Sequence, residues 1–262
     1  MESLLPVFAG NVPALLSGGI VGFSLALVGG GGSILAVPLL VHLVGVGSPH
    51  LAIGTSALAV AINAFANLVP HGRAGNVRWK PGIAFAAAGV VGTLLGSSLG
   101  KAIDGRRLLA LFALLMLVVA VLMLRRRPTA PSSPPAHPRL PRLFGIAFAA
   151  GLLAGFFGIG GGFLIVPGLV LATGMNMLNA IATSLFSVGA FGLTTALNYA
   201  LSGLVDWWLA LKFIGGGLVG GWLGAMVAGR LSRRREALTY LFSGAIAAVA
   251  LFMLYRTLGV AL

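Results

Sequence analysis

Eight apolar runs, at roughly 12–46, 51–70, 81–100, 108–124, 143–175, 178–202, 207–229 and 237–255, leave this chain few folds to choose from. Each reaches or approaches the ~20 helical residues that cross a bilayer core. The sequence therefore predicts an all-α, polytopic integral membrane protein of about eight transmembrane helices, with little mass outside the bilayer. Composition agrees: 58% of residues are hydrophobic and only 8% charged, where a soluble domain carries about a quarter.

The net charge of +13 would suggest nucleic acid in a soluble protein. Here the basic residues sit between apolar runs, as in RRR at 125–127 and 233–235, where such charge orients helices in the membrane. No nucleic-acid partner is expected. The N-terminus MESLLPVF lacks the basic start of a cleavable signal peptide. With no cysteine, disulfides, thiolate metal sites and a cysteine nucleophile are excluded.

A proline-rich stretch, PTAPSSPPAHPRLP at 128–141, divides the chain nearly in half and reads as an extended linker. The halves repeat each other. FGIGGGFLIVP at 157–167 answers VGGGGSILAVP at 28–38, and AIATSL at 180–185 answers AIGTSA at 52–57. From there an offset of 128 pairs Gly75, Val77 and Trp79 with Gly203, Val205 and Trp207, and Gly92 and Gly96 with Gly220 and Gly224. The organisation expected is a first transmembrane repeat at 1–127, a linker at 128–142 and a second repeat at 143–262, each of four spans with a broken first helix. Internal duplication is common in transporters, whose substrate site lies near the bilayer midplane between the repeats.

Segment 12–46 holds 35 residues; as one straight helix it would extend about 52 Å against a hydrocarbon core of about 30 Å. Its glycines free the backbone, and Pro38 disfavours helix at Val37, so a break near 29–38 is expected. Segment 143–175 poses the same problem and carries Gly158, Gly160, Gly161, Gly162 and Pro167. Broken backbone at membrane depth must be buried in protein or line a wet cavity. A helix restarting after Gly32 or Gly161 would aim free amides at that cavity and favour an anion. Elsewhere the glycines form four-residue ladders suited to tight helix packing, Ala88, Gly92, Gly96 and Gly100 in one half and Gly216, Gly220, Gly224 and Ala228 in the other.

Polar residues follow each break. Ser56, Asn63 and Asn67 share a helix face with Thr55 adjacent, and the second half offers Thr183, Ser184, Ser187, Thr194, Thr195 and Asn198. The candidate substrate-binding set is Gly30, Gly31, Gly32, Ser33, Thr55, Ser56, Asn63 and Asn67 with Gly160, Gly161, Gly162, Thr183, Ser184 and Ser187. All four acidic residues, Glu2, Asp104, Asp206 and Glu236, lie at span edges or termini, so no carboxylate serves coupling or acid–base catalysis in mid-membrane. His42 and His71 remain as titratable candidates. No catalytic residues, cofactor or metal site are expected, and the chain does not read as an enzyme. An anion leaving a negative-inside cell gains about 2.3 kcal/mol per charge per 100 mV, so export needs no coupling ion and is the preferred direction.

The glycine-rich breaks ending in VP, AIGTS and AIATS, the G-x-V-x-W patterns at 75–79 and 203–207, and the glycine ladders together resemble the sulfite exporter TauE/SafE family over roughly 18–124 and 147–255. The resemblance implies a multi-pass permease of the bacterial inner membrane acting on sulfite, sulfoacetate or another organosulfur or small organic anion. Its partners would be that anion and the lipid bilayer, with self-association into a homo-oligomer open. Asp206 stands in the second G-x-V-x-W pattern where Arg78 stands in the first, so charge there is not shared by the halves. The alternatives are a proton-coupled anion importer using His42 or His71, and a non-transporting membrane scaffold or assembly factor.

Two topologies fit. With four crossings per half, both ends and the linker share a face with ten of the seventeen Lys and Arg, which weakly favours the cytoplasm for all three. If each broken segment returns to its own side, each half crosses an odd number of times and the repeats are inverted.

Overall fold

The computed structural model describes residues 5–125, 140–231, 244 and 246–256. Among these, the chain forms α1 (Leu5–Val28), a 3-10 segment (Gly29–Leu35), α2 (Ala36–His42), α3 (Pro49–Arg73), α4 (Trp79–Ala102), α5 (Gly105–Arg125), α6 (Leu140–Phe157), α7 (Gly162–Thr173), α8 (Met177–Ala200), α9 (Trp207–Leu231) and α10 (Ile246–Arg256), with no strand. Four helices are long and apolar enough to cross a bilayer: α3, α4, α8 and the Trp207–Met226 part of α9. Shorter apolar helices lie between and around them. Of the expected linker, Leu140–Arg142 instead open α6. Pro141 is tolerated there because first-turn amides have no helical partner anyway. Residues 128–139 lie outside the described residues.

Local chemistry sets the helix starts. Ser48 Oγ accepts the Leu51 amide at 3.4 Å, and Pro49 follows at the first helical position of α3. Asn176 Oδ1 accepts the Asn179 amide at 2.8 Å to start α8. The two interior aspartates are also caps: Asp104 Oδ1 accepts from Arg106 and Arg107, and Asp206 Oδ1 from Trp208 and Leu209. A carboxylate at a helix start is favoured by the dipole as well as by the orphan amides. This explains acidic residues at span edges without any substrate.

Helix directions follow from which ends touch. Near its start α3 places Gly54 against Tyr199 near the end of α8, and near its end Phe65 meets Phe186 and Gly189. α3 and α8 are therefore antiparallel. α9 runs parallel to α1, with Gly216 on Leu15 and Gly224 on Phe23, and α4 runs parallel to α6, with Gly92 on Phe148, Gly96 on Leu152 and Gly100 on Phe156. Gly105 stands against Pro49, and the His42 and Phe252 rings meet edge to face at 5.3 Å. One face, here the terminal face, thus collects the starts of α1, α3, α5 and α9 and the ends of α2, α4, α8 and α10. α1 leaves that face and α3 starts from it again, so the first broken segment returns to its own side. The second does likewise from the opposite face.

The glycine ladders are the close-packed seams. At Gly92, Gly96, Gly216 and Gly220 a Cβ would fall on a backbone carbonyl of the facing helix. Lipid tails supply no hydrophobic drive between helices, so this close backbone approach and its dispersion contacts hold them together. Outer faces are apolar and exposed, as at Val91, Leu95, Leu99, Leu218, Val219 and Trp222, a surface suited to lipid and not to water. Trp79 and Trp207–Trp208 stand exposed at helix starts on opposite faces, where aromatic belts meet the headgroups. An outward groove of about 530 Å³ between α1 and α9 is lined by Leu15, Gly19, Phe23, Gly216, Val219 and others, almost all carbon. It offers nothing to hold an anion.

Candidate functional site

Both segments break, and they break differently. After α1 the four glycines enter the 3-10 segment Gly29–Leu35. Gly32 is pressed so closely on Ser24 and Leu25 that a Cβ would collide with their backbone, which is how the chain doubles back on α1. The restart expected after Gly32 comes instead at Ala36, because the 3-10 turn carries the chain on through Leu35. Pro38 does not break the helix either. It is the third residue of α2, within the first turn, where its missing amide has no helical partner to lose.

The second break is a left-handed turn. Gly158, Gly160 and Gly161 have φ of +66°, +63° and +66°, a region that side-chain-bearing residues seldom enter. α7 restarts directly after Gly161, as expected, with the Leu164 and Ile165 amides both bonded to Gly161 O. The amides of Gly160, Gly161 and Gly162 make no hydrogen bond among the described residues. They are buried, with Val60 of α3 and Val188 of α8 about 3.2 Å from where a Gly160 Cβ would stand. The second break thus lies between α3 and α8, and the 3-10 segment that follows Val28 packs on α8 and on α7, the helix this second break starts. Unclaimed amides in apolar surroundings are a donor-only site, suited to an anion.

The threonines do something else. Thr55 Oγ1 accepts the Asp206 amide at 3.0 Å, and Thr183 Oγ1 accepts the Arg78 amide at 2.9 Å. Both pairs are related by the offset of 128. Each threonine ties a long helix to the loop before a helix of the other half. Ser56 and Ser184 bond back to Ile53 O at 3.1 Å and Ile181 O at 2.8 Å within their own helices. Thr55, Ser56, Thr183 and Ser184 are thus engaged in bonds within the protein.

Asn63 is the exception. It is fully buried on α3 against Gly217 of α9, whose other side meets Gly22 of α1, and neither its Oδ1 nor its Nδ2 has a partner among the described residues. Asn67 sits one turn on and donates to Asn63 O at 2.8 Å. At the offset position, Phe191 fills the matching place against Gly89, which in turn meets Gly151. Ser187 Oγ on α8 is likewise buried without a partner. Orphaned amide and hydroxyl groups in a dry interior are expensive, about 1–3 kcal/mol each, unless a ligand or water meets them. His42 ends α2 and His71 lies in the last turn of α3, on opposite faces.

Sequence reasoning missed Lys101, Tyr199 and His50, which gather at the terminal face. Lys101 read as one more flanking charge, and nothing in its spacing announced that its Nζ reaches Asn198 of α8 at 2.9 Å.

A family model described as sulfite exporter TauE/SafE matches residues 14–253. The chain is 52% identical over 244 residues to a protein of Xylella fastidiosa (strain Temecula1) called a probable membrane transporter protein, covering 92% of this chain and 94% of that one. A Bacillus subtilis (strain 168) protein, probable membrane transporter protein YunE, is 28% identical over 226 residues, covering 77% and 82% of the two chains. No solved structure matches the chain.

Proposed function

Because the chain belongs to the sulfite exporter TauE/SafE family, we propose that it is a membrane transporter that moves a small oxyanion, sulfite, sulfoacetate or a related organosulfur or organic anion, across the bacterial inner membrane. The observation that carries the anion reading is the buried left-handed turn with unclaimed amides at Gly160–Gly162, held between Val60 of α3 and Val188 of α8. Asn63 and Ser187 supply further uncommitted polar groups nearby in the core. Asn63 Oδ1 can also accept a hydrogen bond from a protonated oxyanion such as hydrogensulfite.

In this reading the chain is an inverted repeat, α1 to α5 followed by α6 to α10. The reciprocal contacts support it: Gly22 on Gly217 answers Gly151 on Gly89, and Thr55 with Asp206 answers Thr183 with Arg78. Two equivalent breaks in unequal conformations, one 3-10 and one left-handed, then represent the two arrangements that alternate as the site opens to either side. Charge supports an orientation. The segments 73–80, 125–142 and 230–235, which start or end at the face opposite the termini, carry twelve of the seventeen Lys and Arg. That favours the cytoplasm for this face and the other side for the start of α1 and the end of α10, unlike the orientation favoured by the four-crossing count.

Export is the direction these features support: His42 and His71 stand in the last turns of their helices, and the two aspartates among the described residues cap helices, which leaves no acidic proton carrier among the described residues of the breaks. Proteoliposome flux of labelled sulfite, thiosulfate, sulfoacetate and small carboxylates, with and without an imposed potential, tests this. Potential-driven flux without a proton gradient is expected. Flux that requires a proton gradient would make the chain an importer, and no flux of any of these anions would make it a scaffold.

A further inference from the structure

At the terminal face the ends of α4 and α8 meet the start of α3. Lys101 Nζ donates to Asn198 O, Asn198 Oδ1 and Ser202 Oγ at 3.0, 2.9 and 2.9 Å, and lies 5.8 Å from the centre of the Tyr199 ring. Asn198 Nδ2 donates in turn to Ser97 Oγ at 2.6 Å and Ser98 Oγ at 3.1 Å. Lys101 is half-buried and Ser202 exposed, so the ammonium stands at a mouth. Behind it Tyr199 is fully buried and its hydroxyl has no partner among the described residues. The His50 ring, 6.4 Å from that of Tyr199, has a buried Nδ1 that also lacks one.

A lysine that simply staples the end of α8 accounts for the bond to Asn198 O. It leaves the Tyr199 hydroxyl and His50 Nδ1 unexplained, although a phenylalanine and a leucine would fill the same space without orphaned groups. We propose that Lys101, Tyr199 and His50 form an anion-capture site on the terminal face, outside the translocation chamber. A small oxyanion takes the place of Ser202 on the ammonium and accepts from the Tyr199 hydroxyl and from the Nδ1–H tautomer of His50. Asp104, the nearest carboxylate along the chain, is engaged in capping α5. The site occurs on one face only: at the offset of 128, Lys101, His50, Asn198, Tyr199 and Ser202 are answered by Gly229, Leu178, Pro70, His71 and Ala74. It therefore gives the two ends of the pathway unequal affinity for the anion.

The test labels the full chain with 3-fluorotyrosine and follows the fluorine resonance of Tyr199, identified by its loss in Tyr199→Phe, while sodium sulfite, sulfate or acetate is added. A saturable shift is expected with sulfite. Lys101→Gln should raise its midpoint at least about ten-fold, the scale of one lost hydrogen bond to a charged group, and His50→Leu should do the same with the lysine in place. Asn63→Leu should leave the midpoint unchanged, since that residue belongs to the chamber. A resonance unmoved by all three anions, an unchanged midpoint in both Lys101→Gln and His50→Leu, or a midpoint that follows Asn63 instead, overturns the site. Because no flux is measured, a protein that captures sulfite here and transports nothing would sink the transport reading alone.

Discussion

The amide of Asp206 donates to Thr55 Oγ1 at 3.0 Å, joining the start of α9 to α3 across 151 residues of chain. Replacing Thr55 with valine keeps the shape and leaves that amide unpaired in a partly buried place. A loss of about 1–3 kcal/mol is expected, read as a lower midpoint of thermal unfolding in detergent. Thr55→Ser should recover most of it. If Thr55→Val instead keeps full stability and raises KM for the anion, the hydroxyl serves substrate.

Asn63→Leu has the opposite signature. The amide has no partner to lose, so the variant should be as stable as the wild type or more so. Sulfite flux in proteoliposomes should nonetheless fall at least about ten-fold, since a ligand would lose a hydrogen bond to a charged group. Wild-type flux would remove Asn63 from the pathway.

Gly161 and Gly75 separate strain from function. Their φ values are +66° and +70°, so an alanine at either meets a similar backbone penalty of about 1–2 kcal/mol. A Cβ at Gly161 also collides with Ala154, whereas nothing lies within 4 Å at Gly75. Gly75→Ala should insert and transport; Gly161→Ala should insert and lose flux. Equal flux in the two variants would sink the role given to the second break.

Helix seams can be told from open surface the same way. At Gly96 a Cβ would fall on the Leu152 carbonyl, while at Gly145 it meets nothing within 4 Å. Gly96→Ala is expected to destabilise by about 1–3 kcal/mol through overpacking. Gly145→Ala should be neutral or gain up to about 1 kcal/mol of helix propensity. Melting temperatures in detergent decide this.

The chain has no cysteine, so single cysteines report topology directly. Asn76→Cys, in the turn after α3, should be reached by an impermeant thiol reagent only after the membrane is opened. Gly203→Cys, before α9, should react in intact cells. Labelling of both from the same side would contradict the antiparallel placement of α3 and α8 in a membrane.

Much was legible without coordinates. Apolar length gave helices, Gly158–Gly161 gave a break with α7 restarting after Gly161, and the spacing of Gly92, Gly96 and Gly100 gave a packing seam. The polar face after each break was read less well. Thr55 and Ser56 carry the residue types of a ligand set, yet Ser56 bonds back within its own helix and the partner of Thr55, Asp206, is visible only once the helices are placed. The same one-letter pattern around Gly32 and Gly161 also concealed two different backbone conformations.

What the sequence determined by itself is what the bilayer imposes locally. A backbone that must satisfy its own hydrogen bonds has to be helical wherever it is apolar for long enough, and glycine marks where it stops or is approached closely. Tertiary structure alone decided which helix faces which and in which direction: α3 against α8 antiparallel, Asn63 against Gly217, Lys101 beside Tyr199. A polar side chain becomes structural or available according to whether a neighbour meets it, and for Thr55 and Thr183 that neighbour lies 151 and 105 residues away.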